Sequence, residues 1–259
     1  MNLGLEGRTA AVTGASRGIG LAITKALAAE GVHVTAGALK GSAELDELAS
    51  TDRVTRVTVD LSTPDGPAEL LAAAGGTVDI LVNNVGSAPT RLGGFTAITD
   101  AMWEQTLELN LMAAVRTTRA AVPGMLAAGR GSIVTISSVN ASLADPAVMD
   151  YSAAKAALSS FCKALSKEVG PYGIRVNTIS PGPVATDLWL GAGGVAENIS
   201  AASGASPDDV VRNVTGSMVT GRFTRPDEIA SAVLLLSSDL TDNVTGSDIR
   251  IDGGMVATW

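Results

Sequence analysis

Cysteine and histidine are almost missing from this chain of 259 residues, which carries one of each, Cys162 and His33. A single cysteine excludes an internal disulfide and suits a reducing compartment such as the cytoplasm. One histidine and one cysteine leave no nitrogen–sulfur ligand set for zinc, so no metal site is expected. The same scarcity removes a Ser-His-Asp triad unless His33 serves it, and His33 sits in an alternating apolar run that reads as plain strand. Basic residues are in deficit, with 18 Lys and Arg against 26 Asp and Glu and a net charge of −8. With no basic run either, nucleic acid is not an expected partner. No apolar stretch reaches the roughly 20 residues of a membrane span. The opening Met1-Asn2-Leu3-Gly4-Leu5-Glu6-Gly7-Arg8 lacks a basic-then-apolar signal pattern.

Apolar residues, by contrast, make up 46% of the chain and charged residues 17%. That composition builds a large core, and the length fits one α/β domain over residues 1–259. There are no internal repeats, low-complexity tracts or linkers to a second domain. Seven short runs read as strands: 8–13, 32–38, 54–59, 78–82, 131–136, 174–179 and 248–251. Helical patterns separate most of them, at 21–30, 42–50, 64–74, 100–128, 151–170 and 226–237. Strands alternating with helices predict a doubly wound parallel sheet with helices on both faces.

The first strand runs into Gly14-Ala15-Ser16-Arg17-Gly18-Ile19-Gly20 and then into helix. Strand, glycine turn and helix in that order form the setting in which a dinucleotide pyrophosphate binds at a helix N-terminus. The spacing is G-x-x-x-G-x-G. An acidic residue ending the second strand would hold the adenosine ribose and select NAD. Ala38, Leu39 and Lys40 stand there instead, so no carboxylate repels a 2′-phosphate, and Arg17 and Lys40 can pair with one. NADP(H) is therefore the favoured cofactor, with NAD(H) the alternative. Asp60-Leu61 follows the third strand, where the carboxylate either accepts from the adenine amino group or makes an Asx turn with Ser62. The fourth strand ends in Asn83-Asn84-Val85-Gly86, amides that can hold a loop beneath the cofactor.

Asn110 lies between two leucines inside a helical run, where an amide needs a partner or bends the helix. The fifth strand delivers Ser137-Ser138 at its carboxyl end, the edge where ligands bind in open α/β sheets. Tyr151 and Lys155 are four apart at the start of an alanine-rich helix and share a face. A free phenol has a pKa of about 10, and a neighbouring cation favours the phenolate. That pairing suits proton transfer to or from oxygen near neutrality. Further on, Pro181-Gly182-Pro183-Val184-Ala185-Thr186 reads as a rigid loop, with Thr186 within reach of a cofactor. Residues 188–221 are rich in Gly, Ala and Ser, lack strong periodicity until about Pro207, and read as a substrate lid bracketed by Trp189 and Phe223.

In their order and spacing, Thr13 to Gly20, Asp60, Asn83 to Gly86, Asn110, Ser138, Tyr151-x-x-x-Lys155, Pro181-Gly182 and Asp252-Gly253-Gly254 resemble the short-chain dehydrogenase/reductase family over nearly the whole chain. Members related to 3-oxoacyl-acyl-carrier-protein reductase are the nearest pattern. Val85 stands where members usually carry Ala, and the 188–221 segment is longer than in simple acyl-carrier reductases. The resemblance implies a Rossmann-type fold and NADPH-dependent reduction of a ketone to a secondary alcohol. An NAD-dependent dehydrogenase of a steroid, polyol or other secondary alcohol is the runner-up, and a non-catalytic nucleotide-binding scaffold the remote one. The resemblance also implies roles. Tyr151 is the general acid, Lys155 lowers its pKa and binds the nicotinamide ribose, Ser138 hydrogen-bonds the substrate oxygen, and Asn110 holds a relay water. Gly14, Ser16, Arg17, Gly18, Ile19, Gly20, Ala38, Leu39, Lys40, Asp60, Leu61, Asn84, Val85, Gly86, Pro181, Gly182, Val184 and Thr186 line the cofactor. It further implies a homotetramer acting on a small carbonyl or alcohol.

Overall fold

A computed structural model describes residues 2–258. Its centre is a seven-stranded sheet in the order β3-β2-β1-β4-β5-β6-β7, every pair parallel. The strands are β1 Thr9–Thr13, β2 His33–Ala38, β3 Val54–Thr58, β4 Ile80–Asn83, β5 Gly131–Ile136, β6 Ile174–Pro181 and β7 Asp248–Ile251. The inner strands are nearly continuous in Val, Ile, Ala and Thr and are buried on both faces, as parallel strands require. His33 opens β2 as an exposed strand residue.

The helices are α1 Gly18–Ala29, α2 Ala43–Leu48, α3 Gly66–Ala73, α4 Asp100–Leu107, α5 Ala113–Ala128, α6 Met149–Val169, α7 Asp187–Leu190, α8 Val195–Ser203, α9 Pro207–Gly216 and α10 Pro226–Ser237. One core cluster joins Ile23 and Leu27 of α1 to Ile229, Val233 and Leu236 of α10 across one sheet face. The other joins Leu70, Met125, Leu158 and Val169 of α3, α5 and α6 across the opposite face. Each fully buried Leu or Ile contributes on the order of 1.5–3 kcal/mol. Among the described residues, no helix is long and apolar enough to cross a membrane.

Three boundaries differ from the periodicity reading, each for a physical reason. Helix α1 starts at Gly18, inside the glycine motif, because Gly14 and Gly18 take φ of +65° and +54° and turn the chain straight into the helix. The 100–128 stretch is two helices joined by a π-helical turn at Glu108–Met112. The 188–221 segment is mostly helical, with α7, α8 and α9 in place of irregular chain. Apolar periodicity is faint there because only Val195, Ala196, Val210 and Met218 are buried.

The strand order reverses between β1, which leads into the glycine motif, and β4, which ends at Asn83. Ligands of open α/β sheets sit in the crevice outside the carboxyl ends of the strands at this point.

Candidate active site

The glycine motif is held from beneath by β4. The Asn84 side-chain amide donates to the Thr13 carbonyl (2.9 Å) and the Gly14 carbonyl (3.1 Å). The Thr13 hydroxyl accepts from the Asn84 and Val85 amides at 2.8 and 3.0 Å. A Cβ on Gly20 would stand 2.2 Å from the Gly14 oxygen, and one on Gly18 3.2 Å from Cγ2 of Thr186. The loop after β6 therefore closes over the motif, and Thr186 comes to the place expected of it. Arg17 occupies the N-cap of α1 with an exposed side chain that makes no capping bond. The helix N-terminus is thus left to an anion by its side chains. These features fit a dinucleotide pyrophosphate.

Ala38 is buried at the end of β2, with Leu39 and Lys40 exposed beyond it. Half-buried Ser16 lies opposite, and its carbonyl accepts from the Ser42 hydroxyl at 2.6 Å. Ser42 also caps α2 through the Leu45 amide. Its sequence signal was a Ser ahead of an acid-rich helix start. No carboxylate follows Ala38 directly in the chain, where Leu39 and Lys40 stand. Asp60 makes the Asx turn: its Oδ1 accepts from the Ser62 amide (2.9 Å) and hydroxyl (2.6 Å), which holds the carboxyl below its usual range. Leu61 behind it is buried. Gly182 donates to the Ile251 carbonyl at 3.0 Å and packs on Asp252, Pro181 ends β6, and buried Val184 bridges to Thr224.

Lys155, Tyr151, Ser138 and Asn110 lie near the end of β5. Lys155 is buried on α6, and its Nζ donates to the Ile136 carbonyl at the end of β5 (2.9 Å). Nζ lies 5.7 Å from the centroid of the Tyr151 ring. Ser138, just past β5, hydrogen-bonds the phenol and is itself held by Asn140, whose amide donates to Ser138 Oγ at 3.1 Å. Asn110 lies in the π turn, where the extra backbone residue aims its side chain inward. Its Nδ2 donates to the Thr106 carbonyl (3.0 Å) and its Oδ1 accepts from the Ser87 amide (3.1 Å). A Cβ on Gly86 would stand 2.7 Å from Asn110 Oδ1 and 3.6 Å from Lys155 Nζ, so these two groups meet at Gly86.

Burial pushes the Tyr151 phenol above its ordinary value, and the Ser138 hydrogen bond draws it only part-way back. Burial also lowers Lys155 to about 8. Desolvation disfavours the charged form of each group. Three residues on this wall carried no functional signal in the sequence: Arg91, Thr106 and Asp150, which form a buried cluster directly before Tyr151.

The chain is similar to known proteins along nearly its whole length. A sequence model described as enoyl-(acyl carrier protein) reductase matches residues 14–256. The 3-oxoacyl-acyl-carrier-protein reductase of Escherichia coli is 35% identical over 257 residues, covering 98% of this chain and 99% of the relative. The enzyme of that name from Chlamydia muridarum is 34% identical, covering 98% and 100%. Among solved structures, L-sorbose reductase from Gluconobacter frateurii, complexed with NADPH and L-sorbose, superposes with a TM-score of 0.90 at 35% identity over the full length of both chains. The chain belongs to the short-chain dehydrogenase/reductase family, oxidoreductases that interconvert alcohols and carbonyls with a nicotinamide cofactor.

Proposed function

We propose that the protein reduces a ketone to a secondary alcohol with NADPH, using Tyr151 as the general acid. The observation that carries this reading is the meeting of Asn110 and Lys155 at Gly86, with the Tyr151 ring 5.7 Å from Lys155 Nζ and Ser138 beside the phenol, at the carboxyl ends of β4 and β5. The cofactor, when bound, supplies the hydride. Everything else is the protein's work. Ser138 orients the carbonyl oxygen by a hydrogen bond. Tyr151, which burial keeps protonated in the resting site, gives that oxygen its proton. Lys155, charged below a pH of about 8, offers positive charge beside the phenolate that forms. Asn110, fixed by Ser87 and Thr106, marks where a relay reaches Lys155 from solvent.

The choice of NADPH rests on Ala38, Arg17 and Lys40, and on the NADPH in the L-sorbose reductase structure. The relatives point to two ketone classes, a 3-oxoacyl thioester and a hydroxylated ketone such as a ketose. In this reading residues 188–221 form a lid, and at its two ends Trp189 packs edge-on against Phe223 with ring centroids 5.4 Å apart. The same reading includes a homotetramer and a cytoplasmic setting, the first checked by light scattering.

The deciding experiment follows NADPH absorbance at 340 nm with acetoacetyl coenzyme A, L-sorbose and simple ketones in turn. Turnover of one of them, lost in Tyr151→Phe, supports the reading. NADPH binding without turnover of any carbonyl, and without NADP reduction by the matching alcohols, rejects it in favour of a nucleotide-binding scaffold.

A further inference from the structure

Arg91 lies in the loop after β4, Thr106 near the end of α4, and Asp150 immediately before Tyr151 in α6. The Asp150 side chain is wholly buried, and that of Arg91 is 13% exposed. Asp150 Oδ2 accepts from Arg91 Nε at 3.0 Å, from Arg91 Nη2 at 2.5 Å and from the Thr106 hydroxyl at 2.7 Å. Arg91 Nη2 also donates to Thr106 Oγ1 at 3.2 Å, which closes a triangle. The triangle continues into the reacting groups. Asn110 donates to the Thr106 carbonyl, and Asn110 in turn accepts from the Ser87 amide. Four residues further on, the chain returns to Arg91, whose own amide donates to the Ala147 carbonyl at 2.7 Å. One ring of bonds therefore joins the loop after β4, the π turn and the start of α6.

Stability does not explain this arrangement. The desolvation of a buried ion pair offsets much of its attraction, and apolar residues of similar volume serve as well or better. Asp150 Oδ1 is, in addition, buried without a hydrogen-bond partner, a cost on the order of 1–3 kcal/mol. What a directional network supplies is one geometry. Here the elements it locks together are those that carry Tyr151 and Asn110.

We propose that Arg91, Thr106 and Asp150 are positioning residues that hold the Tyr151 phenol and the Asn110 amide in register. The role rests on the reading of Tyr151 as the general acid. None of the three touches the reacting atoms. Their leverage comes from distance, since a misplacement of about 1 Å costs on the order of a hundredfold in rate.

Removing Arg91 would leave a buried, unpaired carboxylate and risk unfolding, so the test uses Thr106. Thr106→Val keeps the volume and the ion pair but cuts the link between Asp150 and the π turn; Thr106→Ser restores the hydroxyl. Three quantities are read: kcat with NADPH on whichever ketone the parent reduces, the Kd for NADPH by fluorescence titration, and the 19F resonance of Tyr151 in protein labelled with 3-fluorotyrosine. The chain has two tyrosines, so Tyr172→Phe assigns the signal. In Thr106→Val, kcat is expected to fall by about tenfold to a hundredfold. NADPH affinity stays within about twofold and the Tyr151 resonance shifts or broadens, while Thr106→Ser matches the parent in all three. A parental kcat, an unmoved resonance, or a loss of NADPH affinity in step with kcat each overturns the proposal. If the parent reduces no ketone, the functional reading fails separately, and the resonance alone decides whether the network positions Tyr151.

Discussion

The ammonium of Lys155 is tied to the carbonyl of Ile136 at 2.9 Å, which anchors helix α6 to the end of strand β5. The bond places a charge in a pocket where burial lowers its pKa to about 8. Lysine in the unfolded chain titrates near 10.5, so the folded state binds the proton less tightly. The buried charge therefore costs stability in full below pH 8, and the cost is relieved as pH rises from 8 towards 10.5.

Lys155→Met is accordingly expected to raise the unfolding temperature at pH 7. Its advantage over the parent should shrink between pH 8 and 10. Comparing the two proteins by thermal unfolding removes most of the opposing effect of Cys162, whose thiol burial pushes up to about 11 and whose own shift includes the Lys155 charge. A stability difference that is flat with pH would mean that Lys155 is not desolvated as the geometry indicates.

Tyr151→Phe removes the hydroxyl that the proposed mechanism uses as proton donor, and little volume. It should lower kcat by about 10²–10⁴-fold and leave NADPH affinity within about twofold. Stopped-flow reduction rates and a cofactor titration separate the two effects. A variant that keeps its rate would take Tyr151 out of the mechanism.

Ala38→Asp introduces a carboxylate at the end of β2, opposite Ser16 and beside Lys40. Like-charge repulsion of a 2′-phosphate should weaken NADPH binding by at least about tenfold, while NADH binding holds or improves. Parallel titrations with both cofactors measure the ratio. An unchanged ratio would place the 2′-phosphate somewhere other than this strand end.

Gly20→Ala drives a methyl to 2.2 Å from the Gly14 oxygen and 2.5 Å from Asn84 Nδ2. Both are locked by the Asn84 bonds, so the loop must shift. A destabilisation of about 1–3 kcal/mol is expected, with NADPH binding weakened more than tenfold. Urea unfolding and fluorescence titration give the two numbers, and parental values in both would show that the cradle is looser than its contacts imply.

The parallel sheet was legible because its strands are short apolar runs punctuated by Gly and Asn, and glycine spacing marked the cradle. The Ser138, Tyr151 and Lys155 positions were legible through strand-end placement and helical spacing. Asp60 was ambiguous; its Oδ1 makes an Asx turn with Ser62, which leaves Oδ2 for other partners. The helices α7, α8 and α9 were hidden, because a segment that buries few side chains prints little periodicity.

What the residues dictate locally is the menu of elements: period and turn chemistry act between neighbours in the chain, so strands, caps and the glycine turn follow from them. The pairing of Asp150 with Arg91, 59 residues away, and with Thr106, 44 residues away, follows no local rule. Nor does the rise in the Tyr151 pKa, since desolvation depends on everything that surrounds the phenol. Those features exist only once the sheet brings distant strand ends to one edge, where burial sets the energies of every charge and hydrogen bond.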